Sequence, residues 1–226
     1  MSEIRDIITA YDSPIVKAYA MARFHILRQR FLTEIGQYLP ESGHVVDIGC
    51  GFGLFAMFFA SAAPARQVHG FDISERRIRT ARRAAEKLKI ANVTFEIGDA
   101  RQLRASFRFD AVYMLDIIHH IPRQSVPELV SWARSHLSPG GVLLIKDVAD
   151  RPFYKRWFTL ALDKLMDHAA PVDYWSPDDV MALVRSHGFT VYVHRMVDYL
   201  PYPHILYICR LAAESQPRAR RASAGG

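Results

Sequence analysis

Four acids and two histidines carry the chemistry this chain could do. Asp47 stands two residues before Gly49 in Asp47-Ile48-Gly49-Cys50-Gly51-Phe52-Gly53, while Asp72, Asp99 and Asp116 each lie at or beside the end of a short run rich in apolar residues. Carboxylates so placed accept hydrogen bonds from hydroxyl and amino groups of a ligand, or pair with a cation. Alternate glycines let the backbone turn tightly and come close to a ligand. The N–H groups of such a loop, and of the helix behind it, favour a polar or anionic group. His119 and His120 follow Asp116. Imidazole titrates near neutrality, so a histidine there suits removal of a proton from a reacting group.

Three elements must position these groups. Val45–Ile48 reads as a buried strand, Leu54 to Ala63 as a helix, and Val68–Asp72 as a second strand ending in an acid. The acid lies at the distance where nucleotide-binding α/β folds hold the ribose hydroxyls. That spacing alone fits a nicotinamide dinucleotide or another adenosyl ligand. The loop discriminates between them. A dinucleotide fingerprint needs a small residue where Leu54 stands, and Gly53 arrives one place early. Asp47 would repel a pyrophosphate and attract an ammonium or sulfonium charge.

The ordered motifs resemble the class I S-adenosylmethionine-dependent methyltransferases. Asp47–Gly53 is similar to their first motif. Asp72 falls where the family places its ribose-binding acid, and Phe95-Glu96-Ile97-Gly98-Asp99-Ala100 where its acid meets the adenine amino group. Phe109–Asp116 is similar to the fourth strand, and Leu137–Ile145 to the following turn and fifth strand. The resemblance spans roughly residues 40 to 150, and more weakly to about 210. It implies S-adenosylmethionine as cofactor, held by Asp47, Gly49, Gly51, Gly53, Asp72, Ile73, Asp99, Ala100, Leu115 and Asp116. Phosphoethanolamine methyltransferases carry a similar Asp-x-x-x-His segment whose His pairs with an N-terminal Tyr. The matching positions are His120 and Tyr11, with His119 a further catalytic candidate.

The implied fold is α/β: a Rossmann-like seven-stranded, mostly parallel sheet with an antiparallel last strand, helices on both faces and a helical cap over the active site. Strands are expected near 44–48, 67–71, 93–97, 109–115, 141–147, 189–194 and 204–210. Residues 14 to 39 read as one or two helices, and a helix is expected to start at Ser176-Pro177-Asp178-Asp179, which has cap, first-turn proline and acids in order. A single methyltransferase domain is expected over 1–211, with its cap at about 1–40, a lid at about 150–175 and a disordered basic tail at 212–226. His168 in that lid and His204 are weaker pocket candidates, and Asp147 closes the fifth strand.

Charge and composition narrow the partners. The net charge is +6. However, the arginines and lysines from Arg76 to Lys89 spread round one helix as a solvated face, and the tail holds several of the rest, so no nucleic-acid partner is expected. The Asp/Asn-Pro-Pro-aromatic segment of base amine methylation is absent, since Asp116-Ile117-Ile118-His119 stands there. Neither Cys50 nor Cys209 suits cytosine C5 chemistry. Two cysteines make no disulfide framework, which suits a cytoplasmic protein. Neither a metal-ligand spacing nor an apolar run long enough for a transmembrane segment is present. The expected activity is O-methylation of an aromatic, quinone-like or polyketide-type small molecule. N- or C-methylation of a metabolite, a non-catalytic cofactor-binding subunit and a nicotinamide oxidoreductase are the alternatives, and a homodimer stays open.

Overall fold

The computed structural model describes residues 2–103, 107–148, 173–196 and 204–212. Three helices come first: α1 (Ser2–Ala10), α2 (Pro14–Ile26) and α3 (Gln29–Gly36). α1 was not foreseen as a separate helix. Ile4, Ile7 and Ile8 recur at helical spacing, and it packs against α4 and α5. Ser13 caps α2, accepting from the Val16 N–H, with Pro14 in the first turn.

The sheet follows: β1 (Gly43–Ile48), β2 (Arg66–Asp72), β3 (Val93–Ile97), β4 (Phe109–Leu115), β5 (Leu137–Val148), β6 (Phe189–Met196) and β7 (His204–Leu211). Between them run α4 (Leu54–Ala62), α5 (Glu75–Leu88), α6 (Val126–His136) and α7 (Pro177–Ser186). The seven strands lie in the order β3-β2-β1-β4-β5-β7-β6. β1 to β5 pair in parallel, and β7 runs antiparallel between β5 and β6. This is the expected sheet, and the order reverses between β1 and β4, where open α/β sheets bind ligands beyond the strands' carboxyl ends.

The central strands β1, β4, β5 and β7 bury side chains on both faces, whereas Thr94 and Glu96 of β3 and Tyr192 of β6, on the outer strands, are exposed. Val45, Tyr113, Leu144 and Leu206 pack on α1 to α5, and Val46, Val112, Leu143 and Ile205 pack on α6 and α7. β5 begins four residues before the expected 141. Its extra residues pair Leu137 with Phe109 before a register shift re-aligns Val142 with Ala111, and Gly140 takes the left-handed conformation the irregularity needs. The cap helices reach the carboxyl edge of the sheet, where Arg23 of α2 bonds Asp116 and Phe31 of α3 meets His204 edge-on. Ser176 caps α7 as expected, accepting from the Asp179 N–H. Most of the expected lid, with His168, and the basic tail beyond Ala212 lie outside the described residues. Among the described residues no helix is long and apolar enough to cross a membrane.

Candidate active site

β1 delivers the chain into the glycine loop, and Gly49 and Cys50 both donate to the Phe71 carbonyl, at 2.8 and 3.0 Å. The loop is thereby clamped to the end of β2. Gly51 has φ +55, and a Cβ placed there would meet nothing within 4 Å. Its Cα therefore faces open space. Gly53 serves packing instead: at φ +77 it caps α4, and a Cβ would lie 2.5 Å from the Phe95 ring.

Asp72 braces this loop from below. One carboxylate oxygen accepts the Gly51 N–H at 2.9 Å and the other the Ser74 N–H at 2.8 Å. Beside it Ile73 is 78% exposed, and at the end of β3 Ile97 is 49% exposed. Two exposed isoleucines flanking a braced acid form an apolar ledge next to the loop. Asp99 caps a one-turn 3-10 helix over Ala100–Gln102 and is gripped by Arg101, which holds its carboxyl below the usual range. Ala100 and Leu115 are buried beneath these groups.

Asp47 is the anomaly of the site. It is 3% exposed, and burial pushes its pKa from an ordinary 3.8 to about 8. The Tyr113 hydroxyl beside it favours the ionised form, yet neither Asp47 Oδ2 nor that hydroxyl reaches hydrogen-bonding geometry with a partner. A buried acid left unsatisfied costs stability, and a cation would relieve it.

Asp116 has the opposite surroundings. It sits at φ +56, a strained backbone for a residue with a side chain. Arg23 Nη2 donates to Oδ2 at 2.8 Å and Lys146 Nζ to Oδ1, while the Asp116 N–H donates to the Lys146 carbonyl at 2.8 Å. Burial alone would raise this carboxyl, but Lys146 and Arg23 overcome it and hold Asp116 far below the usual range. His204, 2% exposed, is pushed down to about 2 by burial and by Lys146, and so stays neutral. Sequence reasoning missed Arg23 and Lys146. A lysine inside the apolar run Val142-Leu143-Leu144-Ile145-Lys146 was the available signal, because a lysine is almost never fully buried without a partner.

The histidine pair lies across the sheet from this cluster. His119 is 2% exposed, and its Nδ1 lies 2.5 Å from Asp147 Oδ1. Its ring lies against His120, tilted at a centroid distance of 4.1 Å, and against Tyr174, stacked at 5.5 Å. The Asp173 N–H donates to the His119 carbonyl, fixing the Tyr174 segment to this turn. Tyr11 is placed elsewhere. Its buried hydroxyl donates to the Phe52 carbonyl at 2.8 Å, and burial raises its pKa well above 10.0. It steadies the glycine loop, whereas His119 and His120 share one turn after β4.

Residues 45–141 match the family model of a methyltransferase domain. A probable methyltransferase, ltbC, of Aspergillus luteorubrus is 28% identical over 169 residues, covering 67% of this chain and 59% of that protein. The trans-aconitate 2-methyltransferase of Variovorax paradoxus is 33% identical over 114 residues, covering 48% of this chain and 39% of its own. The chain thus spans less than two thirds of the curated relatives it matches. Among solved structures, the magnesium protoporphyrin IX methyltransferase of Synechocystis PCC 6803 with bound SAH superposes with a TM-score of 0.64 at 20% identity, over 88% of each chain.

Proposed function

We propose that this chain, whose residues 45–141 match a methyltransferase domain, transfers a methyl group from S-adenosylmethionine to a small-molecule acceptor. The single observation that carries this reading is the pairing of the open Gly51 backbone with the unsatisfied, buried Asp47. Together they suit a ligand with one polar end and one positive charge, as the cofactor's amino-acid end has. Asp72 and the Ile73 and Ile97 ledge suit its sugar and base. Leu115, Asp116, Asp99 and Ala100 complete the set at the strand ends. When bound, the cofactor supplies an electrophilic methyl carbon on a sulfonium sulfur.

The chain's own residues must align the acceptor, exclude water and take up its proton. His119 and His120 are the candidates for the last task, and Tyr11 is assigned to holding the loop. Tyr174, buried and stacked on His119, supports an aromatic, quinone-like or polyketide-type acceptor methylated on oxygen. This reading treats 1–211 as one domain with its cap over 1–40, in a cytoplasmic protein. A non-catalytic cofactor-binding subunit is the second reading, since the glycine loop and Asp72 speak for binding alone.

The test is thermal shift with saturating S-adenosylmethionine, S-adenosylhomocysteine and NADH, followed by S-adenosylhomocysteine release with a panel of phenols and carboxylic acids. A ligand at 100 times its dissociation constant adds about 2.7 kcal/mol. Stabilisation by the two adenosyl-sulfur ligands alone, lost in Asp72→Ala, is the expected result. Stabilisation by NADH alone overturns the cofactor assignment. Cofactor binding without turnover on any acceptor favours the non-catalytic reading.

A further inference from the structure

α2 differs from the other helices on the surface of this fold. Its inner side, with Val16, Ala20 and Phe24, is buried in the core. Its exposed positions are Pro14, Ile15, Ala18, Met21 and His25, none of them an acid, a lysine or an arginine. Ile15 is 82% exposed and Met21 53%. By contrast, α1 exposes Glu3, Arg5 and Asp6, and α5 exposes Arg76, Arg79 and Arg83. Single apolar residues are ordinary on a surface. A helix that is apolar on its outer side as well as its inner one is suited to being covered on both.

The charge around this outer face has one prevailing sign. From Ser13 to Thr33 the chain holds Lys17, Arg23, Arg28 and Arg30 and no acid. Arg23 is turned inward to Asp116, and Arg30 bonds Glu34. Where α2 begins, Asp12 is outnumbered. Lys87 of α5 bonds its carboxylate, and Arg83 and Lys17 lie close enough to help Lys87 hold that carboxyl below the usual range. Three cations thus gather around one acid beside Pro14 and Ile15.

This combination selects among the possible covers. A second copy meeting the face across a two-fold axis would set these cations against their own counterparts, which opposes association. A nucleic-acid strand would meet the cations, but Ile15 and Met21 offer its bases no aromatic platform. A bilayer with anionic headgroups answers both features, since cations sit at the headgroups while apolar side chains enter the acyl boundary. We propose that the outer face of α2, flanked by Lys17, Arg83 and Lys87, docks this protein on the surface of an anionic phospholipid membrane. The helix lies in the interface and does not span, because its 13 residues are fewer than a span needs and its inner side stays packed on the core. Arg23 ties the same helix to Asp116, so docking sets the cap, and the carboxyl edge of the sheet beneath it, against the bilayer. The docking surface holds whether or not the methyl-transfer reading does.

The experiment is flotation of the full chain with vesicles of phosphatidylcholine alone, or of equal parts phosphatidylcholine and phosphatidylglycerol, in about 0.1 M salt. Binding to the mixed vesicles should be roughly tenfold or more stronger than to phosphatidylcholine, and should fall steeply in about 1 M salt. Ile15→Asp with Met21→Asp should weaken it by roughly tenfold or more while leaving the melting temperature in place, since both side chains are exposed. Lys17→Gln should weaken it roughly fivefold and serves as the second variant if the aspartate pair does not fold. Arg218, Arg220 and Arg221 changed together to Gln should leave the effect of the aspartate pair intact. No binding to the mixed vesicles overturns the proposal, as does binding that survives the aspartates and Lys17→Gln or vanishes with the tail arginines alone. A dimer seen by light scattering that the aspartates dissociate, without vesicle binding, overturns it in favour of a second copy. Capture of a single-stranded RNA probe that the aspartates leave unchanged, again without vesicle binding, overturns it in favour of nucleic acid.

Discussion

Replacing Asp47 by Asn should stabilise the ligand-free protein, and by an amount that grows with pH. In the unfolded chain this carboxyl ionises near 3.8, and in the folded protein burial raises it to about 8. Between those values the folded state binds more protons than the unfolded one, so the stability contribution falls as pH rises through the window. At about 1.4 kcal/mol per pKa unit, the penalty is roughly 2 kcal/mol at pH 5 and about 4 kcal/mol at pH 7, levelling off above pH 8. Asparagine keeps the size and the imperfect hydrogen bonding of the protonated acid but has no proton to lose. Urea denaturation of both proteins at pH 5, 6, 7 and 8 should therefore show the Asn variant gaining on the wild type by about 1.4 kcal/mol per pH unit. Binding should run the other way. Asp47 must give up its proton to meet a cation, so wild-type affinity for S-adenosylmethionine should rise roughly tenfold per pH unit up to pH 8. The Asn variant should bind weakly with no such slope. A stability difference that does not change with pH, or an Asn variant less stable throughout, would refute the account of Asp47 as a buried acid held for a positive ligand.

Two further substitutions probe the frame of the site. Gly53→Ala forces a side chain into the left-handed region and toward the Phe95 ring, which should cost about 2–4 kcal/mol in chemical denaturation; Gly51→Ala meets open space and should cost only about 1 kcal/mol while weakening cofactor binding in calorimetry, so equal stability losses would contradict the two roles. Lys146→Met leaves Asp116 with Arg23 alone and should destabilise by about 3 kcal/mol, most of it recovered when Asp116→Leu is added; a loss under about 1 kcal/mol would mean that the buried pair is not ionised.

The strands were legible because both faces of a parallel strand are apolar. Val45-Val46, Val112 to Leu115 and Leu143-Leu144-Ile145 are too continuous for a surface helix face, and their spacing through glycine loops and helices implied the crossovers. The carboxyl-end acids were legible for the same reason, since each marks where an apolar run stops. α1 was missed because its three isoleucines make a narrow stripe in an otherwise polar segment. The early start of β5 was missed because Ser138-Pro139-Gly140-Gly141 reads as a turn, and only pairing with Phe109 draws Leu137 into the sheet. The basic helix α5 was only half legible. It is largely solvated, but Lys87 binds the Ala10 carbonyl and Asp12, and Arg82 the Phe95 carbonyl. Those contacts depend on α1 and β3 lying alongside.

What the sequence could not convey is the state of each carboxyl, because composition gives the same symbol to groups with different electrostatic fates. Among the described residues no cation acts on Asp47, so desolvation wins and the group holds a proton near neutral pH. The Asp116 side chain is also largely covered, but Arg23 comes 93 positions back along the chain and Lys146 from the adjoining strand, so attraction wins and the group stays ionised. Asp147, one residue beyond Lys146, is turned by strand alternation to the opposite face, where a histidine from the β4 turn awaits it. Each outcome is set by a partner that only the fold brings near. Folding thus separates three carboxyls within one sheet edge into a proton holder, an ion-pair anchor and an imidazole partner. The ion pairs of the second hold in place the strained backbone turn at Asp116.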